Sequence, residues 1–183
     1  MANRYCVVGQ AFIANGTGII TEVGRQVTAG NVTLHCTQIG NFTFTLASGC
    51  TGTVSSDEAT VTGSPKALVA GANTVVVESI VGGQHITLNL TLGSGGNWNT
   101  INTWSAADGG VSGASVPTSS DNVYFNANSF TAASQTLTVD ATATCLDMDW
   151  TGATNTPTFA DSGDFQIQCA GHFTTIAAMN WTY

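Results

Sequence analysis

The sequence predicts an all-β protein in two parts, and three observations carry that prediction. Apolar residues alternate with Thr, Asn and Ser over short runs, the period of a strand with one buried and one wet face. Gly, Asn and Pro interrupt those runs at short intervals, as turns require. No long window carries apolar residues at the 3.6-residue period of a helix.

Residues 1–92 read as a β-sandwich or small β-barrel docking domain. Val32, Leu34 and Cys36 alternate with Thr33, His35 and Thr37; Phe42, Phe44 and Leu46 alternate with Thr43 and Thr45. Ile86, Leu88, Leu90 and Leu92 alternate with Thr87, Asn89 and Thr91. Turn signals separate the runs at Asn15-Gly16, Ala29-Gly30, Ser48-Gly49, Gly63-Ser64-Pro65, Gly71 and Gly82-Gly83. Thr60–Leu92 loosely resembles the closing strands of an immunoglobulin-like sandwich. Gly93-Ser94-Gly95-Gly96 then reads as a Gly/Ser linker, so a domain boundary is expected at 93–96. The competing reading is a glycine hairpin inside one continuous sheet.

In residues 97–183, Trp98 and Trp104 are large anchors in an Asn/Thr-rich context, expected to pack over the open end of a first coil. The Gly/Ser-rich stretch Asp108–Asp121 is expected on the surface. Val123/Phe125 and Leu137/Val139 supply inward-facing pairs. An internal repeat aligns Ala143–Gly152 with Thr174–Tyr183 at an offset of 31, setting Met148 on Met179 and Trp150 on Trp181. Stacked repeats of this kind bury a face that one repeat alone leaves exposed. The second copy runs to Tyr183 with no polar capping segment, so either a longer protein or another subunit is expected to cover an open end.

The run GGNWNTINTWS (Gly95–Ser105), followed by VPTSSDNVYF (Val116–Phe125), resembles the opening of right-handed parallel β-helices. It is more closely similar to a motif of tailed-bacteriophage virion structural proteins of fibre, spike or head-decoration type. The resemblance covers roughly Gly95–Tyr183, about half the chain. It implies an N-terminal β-sandwich-like domain followed by a right-handed parallel β-helix or solenoid segment over 97–183. It also implies a non-enzymatic structural component of a phage particle, acting in assembly, stabilisation or surface attachment. The implied partners are other virion proteins of capsid or tail and further copies of the chain as a homotrimer, with a host surface glycan as an added ligand. The implied location is the virion, after synthesis in a host cytoplasm.

Composition narrows the alternatives. Only 8% of residues are charged and the net charge is −8, with Arg4, Arg25 and Lys66 the only basic side chains. Phosphate backbones and anionic membranes need clustered Lys and Arg, so no nucleic acid and no membrane partner is expected. The start MANRYCVVG carries neither a basic n-region nor an apolar h-region, so no signal peptide is expected. Cys6, Cys36, Cys50, Cys145 and Cys169 are scattered without metal-binding spacing and read as small buried thiols. Were a pair to oxidise, Cys36 with Cys50 is the first choice.

Carboxylates supply the only candidate chemistry. Asp147 and Asp149 fall on one face of an extended run, and Asp161 and Asp164 mark a corner suited to a hard cation. A glycosidase pair needs a fixed separation across a groove, which one alternation step does not provide, so no catalytic residue and no cofactor or metal is expected. Trp98, Trp104, Trp150 and Trp181 are read as packing or capping indoles, or as surfaces for stacking a glycan. Two alternatives to the particle component stay open. One is a secreted bacterial adhesin or carbohydrate-active β-helix; the other is a self-polymerising surface fibre subunit.

Overall fold

The computed structural model describes residues 1–183 apart from 9, 16–18, 22–23, 25, 28–30, 57–59, 81–84, 92, 94 and 183. Among the described residues every regular element is a strand, save one 3-10 turn at Ile101–Thr103. The chain is all-β, as its alternation predicts, and among the described residues no helix is long and apolar enough to cross a membrane. In chain order the strands are β1 (Asn3–Cys6), β2 (Ala11–Asn15), β3 (Gln26–Val27), β4 (Asn31–His35), β5 (Gly40–Leu46), β6 (Thr51–Ser55) and β7 (Thr60–Val61). There follow β8 (Lys66–Leu68), β9 (Gly71–Ser79), β10 (His85–Thr91), β11 (Gly95–Asn97), β12 (Trp104–Ser105), β13 (Asn122–Tyr124) and β14 (Thr136–Val139). The last are β15 (Ala143–Cys145), β16 (Met148–Asp149), β17 (Thr158–Asp161), β18 (Ile167–Cys169), β19 (Phe173–Thr174) and β20 (Asn180–Thr182).

The chain forms two compact bodies, one of Gln10–Leu46 and Cys50–Leu92, the other of Met1–Gly9, Ala47–Gly49 and Gly93–Tyr183. The first holds two antiparallel sheets, in the orders β4-β10-β6-β8 and β3-β2-β5-β9-β7. Their alternation is the one read from sequence. Leu34, Cys36, Phe42, Phe44, Leu46 and Ile86 are buried, while Thr33 and Thr37 are exposed. The side chains of Val32, Leu88 and Leu90, and all of Leu92, lie outside the described residues.

The second body is built mainly from parallel strands, with β12 added antiparallel to β1. In one ladder β1, β13, β16 and β19 follow one another, with Arg4 beside Val123, Val123 beside Met148 and Met148 beside Phe173. In a second, β11, β14, β17 and β20 align Gly96, Leu137, Phe159 and Trp181. In a third, β15 and β18 align Ala143 with Ile167 and Cys145 with Cys169. Val123, Phe125, Leu137 and Val139 face inward and are buried, as their alternation predicts.

Three features differ from the sequence reading. The domain expected at 1–92 lacks its own first strand, because Asn3–Tyr5 pairs with Asn122–Tyr124 of the other body. Partners so distant leave no local signal, and only tertiary pairing assigns the strand. The 31-residue offset is not the spacing of stacked positions. Val123, Met148 and Phe173 are 25 residues apart in one ladder, while Leu137, Phe159 and Trp181 are 22 apart in another. Corners of unequal length give each ladder its own period. Met148 therefore stacks on Phe173 rather than Met179, and Trp181 on Phe159 rather than Trp150.

The run Gly93–Gly96 is also not a spacer, because Gly95–Asn97 is a strand paired with Thr136–Thr138. A Cβ on Gly93 would lie within 2.5–2.9 Å of backbone atoms of Gly49, and one on Gly95 would fall onto the Thr136 carbonyl oxygen. Gly49 itself sits at φ 77°, where glycine is favoured. These glycines allow backbones to touch rather than a chain to flex. The Asp108–Asp121 stretch lies at the surface, as expected, with all but Pro117 and Asp121 exposed or half-buried, and it is tied down there. Ala114 N–H donates to the Trp104 carbonyl at 3.0 Å, Pro117 is buried, and Ala114 and Val116 pack against the core.

A flexible linker accepts alanine freely, whereas a close backbone approach does not. Gly95→Ala is expected to destabilise the protein by about 2 kcal/mol or more in urea denaturation, against less than about 0.5 kcal/mol for an unstructured spacer.

Candidate functional site

The parallel body encloses a continuous aromatic cluster. Trp98 meets Trp104 edge-on with centroids 4.8 Å apart, and Trp104 meets Phe125 at 6.3 Å. Phe125 stacks flat on Trp150 at 3.6 Å, and Trp150 leads on to Phe159 at 5.3 Å. Phe159 meets Trp181 at 5.1 Å, and Trp181 meets Phe173 at 5.8 Å. Trp104 Nε1 donates to the Trp98 carbonyl at 2.7 Å, whereas Nε1 of Trp98 and of Trp150 have no partner among the described residues.

The four tryptophans of the sequence reading thus separate. Trp98, Trp104 and Trp150 are buried and offer no face to a glycan. Trp181 is 40% exposed and lines, with Phe159, Phe165 and Ile167, an open cleft of about 140 Å³. Sequence reasoning made Trp150 and Trp181 equivalent because both follow Met-Asp/Asn. In the fold Trp150 lies at the corner after β16, and Trp181 within β20.

The four carboxylates bond to neighbouring backbone or occupy turns. Asp147 Oδ1 accepts the His172 N–H at 2.7 Å and lies 3.5 Å from His172 Nδ1. Asp149 Oδ1 accepts the Thr151 N–H at 2.8 Å. Asp161 Oδ1 accepts the N–H groups of Gly163 and Phe165 at 3.0 and 3.2 Å, and Asp164 occupies the left-handed region at φ 58°. Asx turns of this kind are what Asp supplies at corners. Among the described residues no three His, Cys, Asp or Glu side chains gather as a metal ligand set. Cys36 and Cys50 are buried thiols, and all five cysteines are in the thiol form. Burial pushes the Cys145 thiol up to about 12, with added contributions from Cys169 and Asp147.

The polar residues that organise this body were missed as sites. Asp121 is buried and accepts the Ala2 N–H at Oδ1, 3.1 Å away, and both the N–H and the hydroxyl of Thr118 at Oδ2, at 3.0 and 2.8 Å. Its own carbonyl accepts the Leu146 N–H at 2.8 Å, so one residue joins the N-terminus, the Thr118 turn and the following layer. Burial alone would raise its carboxyl pKa; the Thr118 and Ala2 hydrogen bonds and the Arg4 charge outweigh burial and hold it below the usual value. Gln135 is the second such residue. Its Oε1 accepts the N–H groups of Thr131 and Ala132 at 2.7 and 3.1 Å, and its Nε2 donates to the Gly93 carbonyl at 2.8 Å. The signal available for Asp121 was its place in the Pro117-x-x-x-Asp turn preceding a strand; Gln135 carried none.

Comparison with family models, with curated proteins and with solved structures finds no match to this chain.

Two outcomes follow from this geometry. Trp150→Ala is expected to cost about 3–5 kcal/mol in chemical denaturation, because it empties the centre of the cluster, while Trp181→Ala costs about 1 kcal/mol. Equal losses would contradict their unequal burial. Asp121 has a folded pKa below its unfolded value, so its stabilisation is present at neutral pH and is lost as pH falls from about 4 towards the folded value. Asp121→Asn is expected to lower the thermal midpoint at pH 7 and to narrow its gap from wild type as the pH is taken below 4.

Proposed function

We propose that the chain is a non-enzymatic structural component of a virus particle, of the tailed-bacteriophage fibre, spike or head-decoration kind. In this reading the two antiparallel sheets form a sandwich that docks on the particle. The three parallel ladders are the faces of a β-solenoid, each successive turn giving one strand to a face, and the virion is its location. The observation that carries the reading is the use made of the candidate reactive groups. Asp147, Asp149 and Asp161 each spend an oxygen on nearby backbone N–H groups. Three of the four indoles are spent on the interior. The parallel register beginning at β11 agrees with the β-helix resemblance of Gly95–Ser105. Capsid and tail proteins remain the proposed partners. Further copies of the chain, as a homotrimer, remain the proposed self-partners.

The carbohydrate-binding alternative retains a single indole, Trp181, as its stacking surface. Particles purified on a density gradient from producing cells are expected to contain the chain at fixed stoichiometry and to bind antibody raised against it in negative-stain images. Absence from the particles, or turnover of a bacterial surface polysaccharide by the purified chain, overturns the proposal.

A further inference from the structure

The third ladder sets two cysteines side by side. Strands β15 and β18 run parallel, with Cys145 beside Cys169 in register. Neighbouring strands lie about 4.8 Å apart, inside the roughly 4.4–6.8 Å between Cα atoms that a disulfide spans. Side chains at registered positions leave the same face of a sheet, so both thiols turn to the side that Cys145 buries. Cys145 belongs to the core cluster, and Cys169 packs against that cluster. The two thiols are within hydrogen-bonding reach of each other.

The register is fixed on both sides of the pair. Before it, the Ala143 N–H donates to the Gln166 carbonyl at 2.8 Å. After it, the Ala170 N–H donates to the Cys145 carbonyl at 3.1 Å, and the Gly171 N–H to the Leu146 carbonyl at 2.6 Å. The His172 N–H then donates to Asp147 Oδ1 at 2.7 Å, and the Met148 N–H to the His172 carbonyl at 2.8 Å. The two segments are thus held together by backbone bonds with the cysteines still reduced.

The fold does not need the thiol proton of Cys169. Its Sγ donates to the carbonyls of Leu146 and His172, each at 3.2 Å. Each of those carbonyls already accepts a backbone N–H, from Gly171 and from Met148. Loss of the proton therefore leaves neither acceptor unpaired. The side chains of a parallel pair start nearly as far apart as their Cα atoms, whereas a disulfide draws its Cβ atoms to about 3.8 Å. Closing the bond requires an approach of about 1 Å. Strained disulfides are readily reduced, so a bond here is reversible rather than a permanent staple.

We propose that Cys145 and Cys169 are an oxidation site, closed by a small-molecule disulfide into a reversible bond that ties β18 to β15 beneath it. The sequence favours Cys36 with Cys50 instead, because register in a ladder is invisible to spacing along the chain. Burial, with Cys169 and Asp147 adding to it, holds the Cys145 thiol up at about 12, so Cys169 supplies the first thiolate. It attacks one sulfur of oxidised glutathione, forms a mixed disulfide and releases one glutathione thiolate. Cys145 gives up its proton, attacks the Cys169 sulfur and releases the second. Two cysteine sulfurs are oxidised, one glutathione disulfide is reduced, and both cysteine protons end on glutathione thiols. The site lies between two layers of this chain, so it depends neither on what covers β18 nor on whether the chain belongs to a particle.

The test equilibrates the folded 183-residue chain with oxidised and reduced glutathione at varied ratios, traps free thiols by alkylation and maps disulfides by mass spectrometry. Excess oxidised glutathione is expected to link Cys145 to Cys169 with loss of two hydrogens. Excess reduced glutathione is expected to reopen the bond without denaturant. The linked form is expected to melt about 5 °C higher than the reduced form. Cys145→Ala is expected to stop at one glutathione held on Cys169, and Cys169→Ser to take up none at Cys145. Wild-type mapping decides the proposal even where a variant fails to fold. Thiols that stay unlinked in the folded chain, linkage that forms only in urea, or a bond between other cysteines in its place overturns the site. A Cys145–Cys169 bond that reduced glutathione does not reopen, or that leaves the melting temperature unchanged, overturns the reversible tie between layers.

Discussion

The second body depends on stacking parallel strands in register. Strands as short as Met148–Asp149 cannot enclose a core within one layer. The interior exists because Val123, Met148 and Phe173, or Leu137, Phe159 and Trp181, sit on one another along the ladders. Each layer gives its neighbour both a hydrogen-bonding edge and an apolar floor. Energy in such an arrangement is close to a sum over neighbouring layers. The flat contact of Phe125 and Trp150 is the densest point of that sum, and the remaining aromatic contacts radiate from it.

That constraint separates what was legible in the sequence from what was not. Alternation along one strand is local, so Phe42–Leu46, Val123–Phe125 and Leu137–Val139 could be assigned correct faces from residue type alone. Membership of a ladder is not local. Asn3–Cys6 carries no pattern that ties it to residues more than a hundred positions away, and Arg4 stands where its ladder neighbours are apolar. The period of stacking was also hidden, because corners of different lengths separate the ladders. A fixed offset then matched Met148-Asp149-Trp150 to Met179-Asn180-Trp181, segments lying in different ladders. For the candidate site, residue type located the corner at Asp161 and Asp164, but Asp147 and Asp149 were read as one face of an extended run, and their bonds to His172 and Thr151, like the burial of three indoles, emerge only in the fold.

Glycine had two meanings in this chain, and composition alone could not distinguish them. A Gly/Ser run reads as freedom when its surroundings are unknown. Gly49, Gly93 and Gly95 instead permit backbone contacts that any Cβ would prevent. The buried polar groups follow similar logic. With so few charged side chains, the irregular segments between layers are tied by single acceptors, Asp121 over the Thr118 turn and Gln135 over the Thr131 turn. Asn155 plays the same part from the left-handed region at φ 66°, its Nδ2 donating to the Phe130 carbonyl at 2.7 Å. Each satisfies backbone groups that would otherwise be buried without partners, the more costly failure in a body made largely of corners.

A stack held by neighbour contacts is weakest where a layer has one neighbour instead of two. The first layers escape this because β12, β1 and the Ala47–Gly49 segment brace them, and Asp121 and Gln135 fasten the adjoining turns. The last layer has no comparable brace among the described residues. Its Trp181 meets Phe159 and Phe173, Phe173 lies beside Met148 in its ladder, and Phe165, Ile167, Phe173 and Trp181 are each more than a third exposed. Opening of the parallel body should therefore begin at β18–β20 and propagate towards the Phe125–Trp150 contact. Phe165, Ile167, Phe173 and Trp181, each more than a third exposed, are therefore the large apolar side chains that the first local opening would release.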